Sequence, residues 1–174
     1  MRSIVGRDIG TTKFVILKAG PHDLTGLLEL YRHLYHVAAA SEPAHAADQW
    51  SRLLASDCAR VLVVEDQQIS ALVGTCVVAI IPSLAHGCRP WAVIEHVVTH
   101  PDYRRKGIGS SLLRAALAQA DGENCYKVML ATGSKNPATL RFYENAGFRR
   151  SSKTLFEIRR VCPPDAKKAL GTLA

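Results

Sequence analysis

The chain predicts an α/β layered fold, a mixed central sheet flanked by helices, and three observations carry that prediction. Strand-like and helix-like runs follow one another in the order β-α-α-β-β-β-α-β-α-β along 174 residues, with no internal repeat and no linker to divide them. The composition is 48% hydrophobic and 21% charged, which suits a buried core and argues against a disordered chain. The stretch HPDYRRKGIGSSLL (His100–Leu113) joins a strand to a helix through Gly107 and Gly109, directly behind three cations. Glycine weakens both kinds of element, so its use at that junction means that something approaches the backbone closely.

The first strand is the β-branched run KFVILKA (Lys13–Ala19). In PHDLTGLLELYRHLY, Asp23 is placed to cap a helix whose Leu24, Leu27, Leu28, Leu30, Tyr31 and Leu34 form a broad apolar stripe. SEPAHAADQWSRLLAS reads as a second helix, with Ser41 or Glu42 at the cap and Pro43 in the first turn. RVLVVEDQQISALVGTCVVAII reads as a hairpin turning over Glu65 to Gln68, and IPSLAHGCRP as a loop. Trp91–His100 is the next strand. From about Gly107, helical spacing puts Ile108, Leu112, Leu113, Ala116, Leu117 and Ala120 on one face, and Ser110, Ser111, Arg114 and Gln119 on the outer one. CYKVMLA (Cys125–Ala131) is a short strand. NPATLRFYENAGF is a helix capped by Asn136, with Pro137 at its first position and Gly147 at its stop. TLFEIRR (Thr154–Arg160) closes the pattern as a last strand. The domain is expected to span residues 11–160, between an N-terminal extension (1–10) and a tail (161–174) without a core pattern.

A formal charge of +7 and a pI of about 9.4 speak for an anionic partner or ligand, not for a fold. Aromatic–basic interleaving and a helix-turn-helix signature are both missing, so nucleic acid is not the expected partner. The first residues lack the apolar stretch of a signal peptide, and the longest apolar run, Ala71–Ile81, is too short to span a membrane. Five cysteines form no CxxC pair, and several lie in apolar runs, which suits a reducing compartment; a cytoplasmic protein is expected. The seven histidines include no HExxH pattern, and no metal is expected.

A strand, a glycine-bearing turn and a helix N-terminus make an anion site, because the free N–H groups of the first helical turn and the helix dipole both favour negative charge. Arg104, Arg105 and Lys106 add charge around the phosphates. The P-loop pattern GxxxxGK[ST] is absent, and the dinucleotide fingerprint needs a third glycine where Leu112 stands. In Q/R-x-x-G-x-G/A, however, Arg104, Gly107 and Gly109 fall in register. From about Lys13 to Arg160 the chain resembles the GNAT acetyltransferase superfamily, on VVTHPDYRRKGIGSSLL and on CYKVMLATGSKNPATLRFYENAGF (Cys125–Phe148). CYK…FYE…GF, with Glu95 in IEHVV, is similar to the glucosamine-6-phosphate N-acetyltransferase branch, whereas ATGSKNPATL is closer to the general GNAT pattern.

The resemblance implies a splayed, mostly antiparallel sheet whose strands Trp91–Thr99 and Cys125–Ala131 part at one end. It implies acetyl-CoA as cosubstrate, the pantetheine arm paired with backbone near Val97 and Val98, and the pyrophosphate held around Arg104, Arg105, Lys106, Gly107, Ile108, Gly109 and Ser110. The implied reaction is direct transfer of the acetyl group to a primary amine of a small-molecule acceptor. Tyr143, in FYExxGF, is then the acid for the leaving thiolate: a phenol of ordinary pKa about 10 can donate to a thiolate whose parent value is about 8.5. Tyr143 also fits plain helix packing, on one stripe with Leu140. Glu95 is the candidate base or water-positioning group, and reads equally as a paired carboxylate or an exposed strand residue; alternation turns His96 away from it. Asn136 contacts coenzyme A by resemblance and caps a helix by position. The three cations fit a solvated charge run as well, Lys135 is a further candidate for a coenzyme phosphate, and Cys125 reads as a core thiol.

The resemblance draws the acceptor pocket from segments that include Tyr31, His33, Tyr35, His36, Trp50, His86 and Arg89; the histidines and Arg89 suit a phosphorylated or anionic amine and read equally as ordinary surface residues. A homodimer is expected from relatives alone. A non-catalytic acyl-CoA sensor and a protein N-acetyltransferase are the alternative readings.

Overall fold

Alternating burial sets the layers. In the computed structural model, which describes residues 2–6, 13–34, 43–150 and 154–158, Phe14 and Ile16 of β2 (Phe14–Lys18) join one core cluster while Val15 and Leu17 join another. In β3 (Ala59–Asp66), Leu62 and Val64 divide from Val61 and Val63 in the same way. Strands apolar on both faces need a helical layer on each. α1 (Leu24–Arg32) and α2 (Pro43–Leu54) cover one face through Leu27 and Trp50. α4 (Ile108–Gly122) covers the other through Ile108, Leu112, Leu113, Ala116 and Ala120.

The sheet has six strands in sequential order: β1 (Ile4–Gly6), β2, β3, β4 (Ala71–Ile81), β5 (Trp91–Thr99) and β6 (Val128–Met129). The first four pairings are antiparallel. The last, β5 with β6, is parallel, as the crossover through α4 requires. It holds only at Ala92↔Val128 and Val93↔Met129, while β5 runs on to Thr99. The two strands therefore part, and α5 (Pro137–Asn145) packs on the α4 side of the opening through Phe142 and Tyr143. Among the described residues no helix is long and apolar enough to cross a membrane.

Several expectations change. Residues assigned to an N-terminal extension carry β1, and Arg2 binds the carboxylates of Asp23 (2.9 Å) and Glu65. Asp23 stands at the N-cap position of α1, but its carboxylate takes Arg2 and the Gly20 N–H (2.8 Å) and makes no capping bond to the helix. The hairpin turn lies at Gln67–Ser70, because β3 continues to pair with β2 through Phe14↔Asp66. Ser111 is buried, since α4 lies flat over β3, β4 and β5 and covers Ser111 together with Ala115, one turn on. IPSLAHGCRP contains a one-turn helix, α3 (Ala85–Cys88), with His86, Gly87 and Cys88 at positive φ. Residues 154–158 form no strand; a two-residue β6 is too short an edge to template one, and Leu155, Phe156 and Ile158 are exposed. Ser41, Glu42, Arg159 and Arg160 lie outside the described residues.

Candidate active site

β4 and β5 pair in step from Ile81↔Trp91 to Val77↔Glu95, then resume at Thr75↔Val98. Over that interval β5 uses one residue more than β4, and His96, at φ 52°, takes up the excess. This is a β-bulge, and it re-aims the end of the strand. Past it Val97, Val98 and Thr99 line a cleft along the strand's edge. Before it Glu95 is exposed, and the His96 ring lies against Tyr31 with centroids 5.4 Å apart.

The cleft has a volume of about 440 Å³. Val97, Val98 and Thr99 form one wall, Tyr103 to Arg105 with Gly107 to Ser110 its end, and Ala138, Thr139, Phe142 and Tyr143 of α5 the opposite wall; His33 and Leu34 close a further side. At its end the two glycines play different parts. Gly107 is the N-cap of α4 at φ 79°, in the left-handed region that glycine adopts without penalty, and a Cβ there would meet nothing within 4 Å. The Ser111 N–H is bound to the Gly107 carbonyl (3.0 Å), so the amides of Ile108, Gly109 and Ser110 precede the first intrahelical bond and have no intrahelical acceptor. A Cβ on Gly109, by contrast, would lie 3.2 Å from Phe142 Cζ and 3.4 Å from Thr99 Oγ1. Its missing side chain also lets α5 sit against α4.

The cations also divide. Arg104 and Arg105 line the cleft, and Arg104 Nε donates to the Thr99 carbonyl (3.3 Å), which ties it to the end of β5. Lys106 does not line it; its Nζ stands over the Tyr103 ring, 4.8 Å from the centroid. Free amides at a helix start, open space where a Cβ would be and two flanking guanidinium groups fit a diphosphate.

Tyr143 is half-buried beside Phe142 and Phe148 and faces β5 across the cleft. Burial, and secondarily the charge of Glu95, push its phenol above the ordinary value of 10, so it keeps its proton at neutral pH. Glu95 itself is not part of the lining and acts on Tyr143 through its field. The buried Cys76 thiol is pushed up to about 12 by desolvation and is no nucleophile. Asn136 caps α5, its Oδ1 accepting the Ala138 N–H (2.8 Å), and stands outside the lining with the exposed Lys135. Among the described residues no three His, Cys, Asp or Glu side chains gather in a group.

Of the expected acceptor residues, His33 lines the cleft. Trp50 is a core residue, its Nε1–H donating to the Pro21 carbonyl (3.2 Å); His86 stacks on Tyr126, and Arg89 donates to the carbonyls of Asn124 and Cys125. Tyr35 and His36 lie outside the described residues. Sequence reasoning missed Thr99, Tyr103, Thr139 and Phe142. Tyr103 stands inside HPDYRRKGIGSSLL, and its aromatic ring in a polar loop was the available signal. Phe142 has a partner, Gly109, that helical spacing within α5 does not reveal.

A sheet opened between parallel neighbours, with a helix start facing one end of the opening, is the α/β architecture of an acyltransferase fold. The comparisons agree. The acetyltransferase (GNAT) family model matches residues 24–148. A glucosamine 6-phosphate N-acetyltransferase of Trypanosoma brucei brucei is 33% identical over 135 residues, 76% of this chain and 87% of the relative. One from Schizosaccharomyces pombe is 32% identical over 91 residues, 52% of this chain and 79% of the relative. A solved protein from Agrobacterium tumefaciens str. C58 superposes with TM-score 0.77 at 39% identity, covering 83% of this chain and 99% of its own. The chain belongs to the GNAT family of acetyl-CoA-dependent N-acetyltransferases.

Proposed function

We propose that the protein transfers the acetyl group of acetyl-CoA to the primary amine of a small anionic acceptor of the amino-sugar phosphate class. The observation that carries this is the cleft, continuous from the parted edge of β5 at Val97 to the α4 start at Gly107, with Tyr143 along it. Val97 and Val98 offer backbone to the pantetheine arm. Arg104, Arg105 and the amides from Ile108 to Ser110 hold the pyrophosphate, with Gly107 leaving room for it and Lys106 and Asn136 at its margin. Bound acetyl-CoA supplies an activated thioester. Tyr143 holds a proton for the departing sulfur, and Glu95 is the base or water-positioning group that accepts the proton the amine must lose. The acceptor class is supported by the identity to two glucosamine 6-phosphate N-acetyltransferases and by the net charge of +7.

A thiol-release assay with acetyl-CoA tests this across glucosamine 6-phosphate, polyamines, amino acids and aminoglycosides, beside calorimetric titration of coenzyme A. Turnover concentrated on the amino-sugar phosphate is the expected result, and preference for another amine overturns the acceptor assignment. Saturable coenzyme binding with no turnover on any amine favours a protein acceptor or a sensor. The free thiols among the described cysteines suit the reducing cytoplasm, and light scattering reads the homodimer that the same reading expects.

A further inference from the structure

We propose that Asp66 is a positioning residue for the coenzyme's pyrophosphate loop and acts on it through Tyr103; the inference rests on the coenzyme reading above. Asp66 ends β3 and is wholly buried. A carboxylate there is costly unless it is fully partnered, and Asp66 is. The Gln68 N–H donates to Oδ1 (3.0 Å), Lys13 Nζ is 3.0 Å from Oδ2, and the Tyr103 hydroxyl donates to Oδ2 (3.2 Å). The first two partners belong to the adjoining hairpin turn and to the residue before β2. Tyr103 alone comes from elsewhere, from the loop between β5 and α4.

Tyr103 is the side chain of that loop that reaches the buried end of β3. Arg104, Arg105, Lys106 and Gly107 are all exposed, whereas Tyr103 is half-buried with its ring edge-on to Phe14, centroids 6.0 Å apart. Beside the exposed bond from Arg104 to the Thr99 carbonyl, the loop is tied to the inner strands by this ring and this hydroxyl. Phosphate contacts require their donors to be held to a fraction of an ångström. The acyl end of the cleft is built on β5 and α5 and does not depend on this tether.

A tether gives the effect an unusual sign. Electrostatics alone makes Asp66 harmful to an anion site, so neutralising it should tighten coenzyme binding; a tether predicts the reverse. An asparagine at 66 has one acceptor oxygen for three donors and releases Tyr103 or Gln68.

The test is calorimetry of coenzyme A, and of pantetheine by displacement, on wild type, Tyr103→Phe and Asp66→Asn. Tyr103→Phe keeps the ring and loses only the hydroxyl, so it carries the test if Asp66→Asn folds poorly. Expected is a rise of about fivefold in the coenzyme A Kd of Tyr103→Phe, the size of one hydrogen bond, with pantetheine affinity within about twofold of wild type. The KM for acetyl-CoA should rise in parallel while kcat holds, and Asp66→Asn should also bind more weakly. An unmoved Kd, tighter binding by Asp66→Asn, or an equal loss for coenzyme A and pantetheine overturns the tether. A wild type that does not saturate with coenzyme A overturns the coenzyme reading itself.

Discussion

Between Trp91 and Ile94, β5 pairs with β4 on one side and meets β6 on the other; from Val97 to Thr99 it keeps β4 and faces a cleft. At the first end Ala92 and Ile94 are sealed in the core. At the second, no neighbouring strand pairs with β5 on its cleft side among the described residues, and that edge is the one proposed to meet the pantetheine arm. A single extra residue at His96 and a β6 only two residues long separate these behaviours. The difference teaches that this site is made less by adding reactive side chains than by withholding a strand.

The sharpest way to break the parted end is chemical. Tyr143→Phe removes the proposed proton donor and leaves the cleft's shape, and kcat should fall about 100-fold with coenzyme affinity nearly unchanged. Steady-state kinetics beside calorimetry checks this; an unaltered kcat returns Tyr143 to packing. Next comes the loop end. Gly107→Asn tolerates the positive φ, so the fold should survive, but its side chain enters the open space and coenzyme A affinity should fall at least about tenfold. Gly109→Val, two residues away, should behave differently: it drives methyl groups into Phe142 and should cost about 2 kcal/mol, read as a lower Tm by calorimetric scanning. If Gly107→Asn melts early and still binds coenzyme A normally, the two glycines have been assigned the wrong way round.

The smallest expected effect is electrostatic. Glu95 is a lesser cause of the raised Tyr143 pKa. Glu95→Gln removes a negative charge that opposes phenolate formation, so the phenol should titrate at lower pH, closer to the ordinary value of 10. Ultraviolet titration, with Tyr143→Phe subtracted, reads it. A shift upward excludes Glu95 as a neighbour of the phenol in solution.

Much of the fold was legible because it is local. Asn136, Pro137 and Gly147 bracket α5 where cap, first turn and stop signals place them. The β-branched run of β2 was legible as a strand from its residues alone. The hairpin turn was misplaced because the burial of Asp66 depends on Lys13 and Tyr103, far off in the chain. The candidate site was legible at Arg104, Gly107 and Tyr143 and not at Thr99 or Phe142, whose place in the lining depends on how α5 docks.

By itself, then, the sequence determined the properties that neighbouring residues decide among themselves: which runs are β-branched strands, where α5 begins and ends, and that glycines stand at the strand-to-helix junction, where something can approach the backbone. The tertiary structure alone decided that β5 bulges at His96, that β6 stops short, that Gly109 faces Phe142 and that Arg2 reaches Asp23 and Glu65. Each of these joins residues remote in the chain or depends on how the strands meet. Short-range periodicity holds no record of such partners, because they are selected by the packing of whole elements.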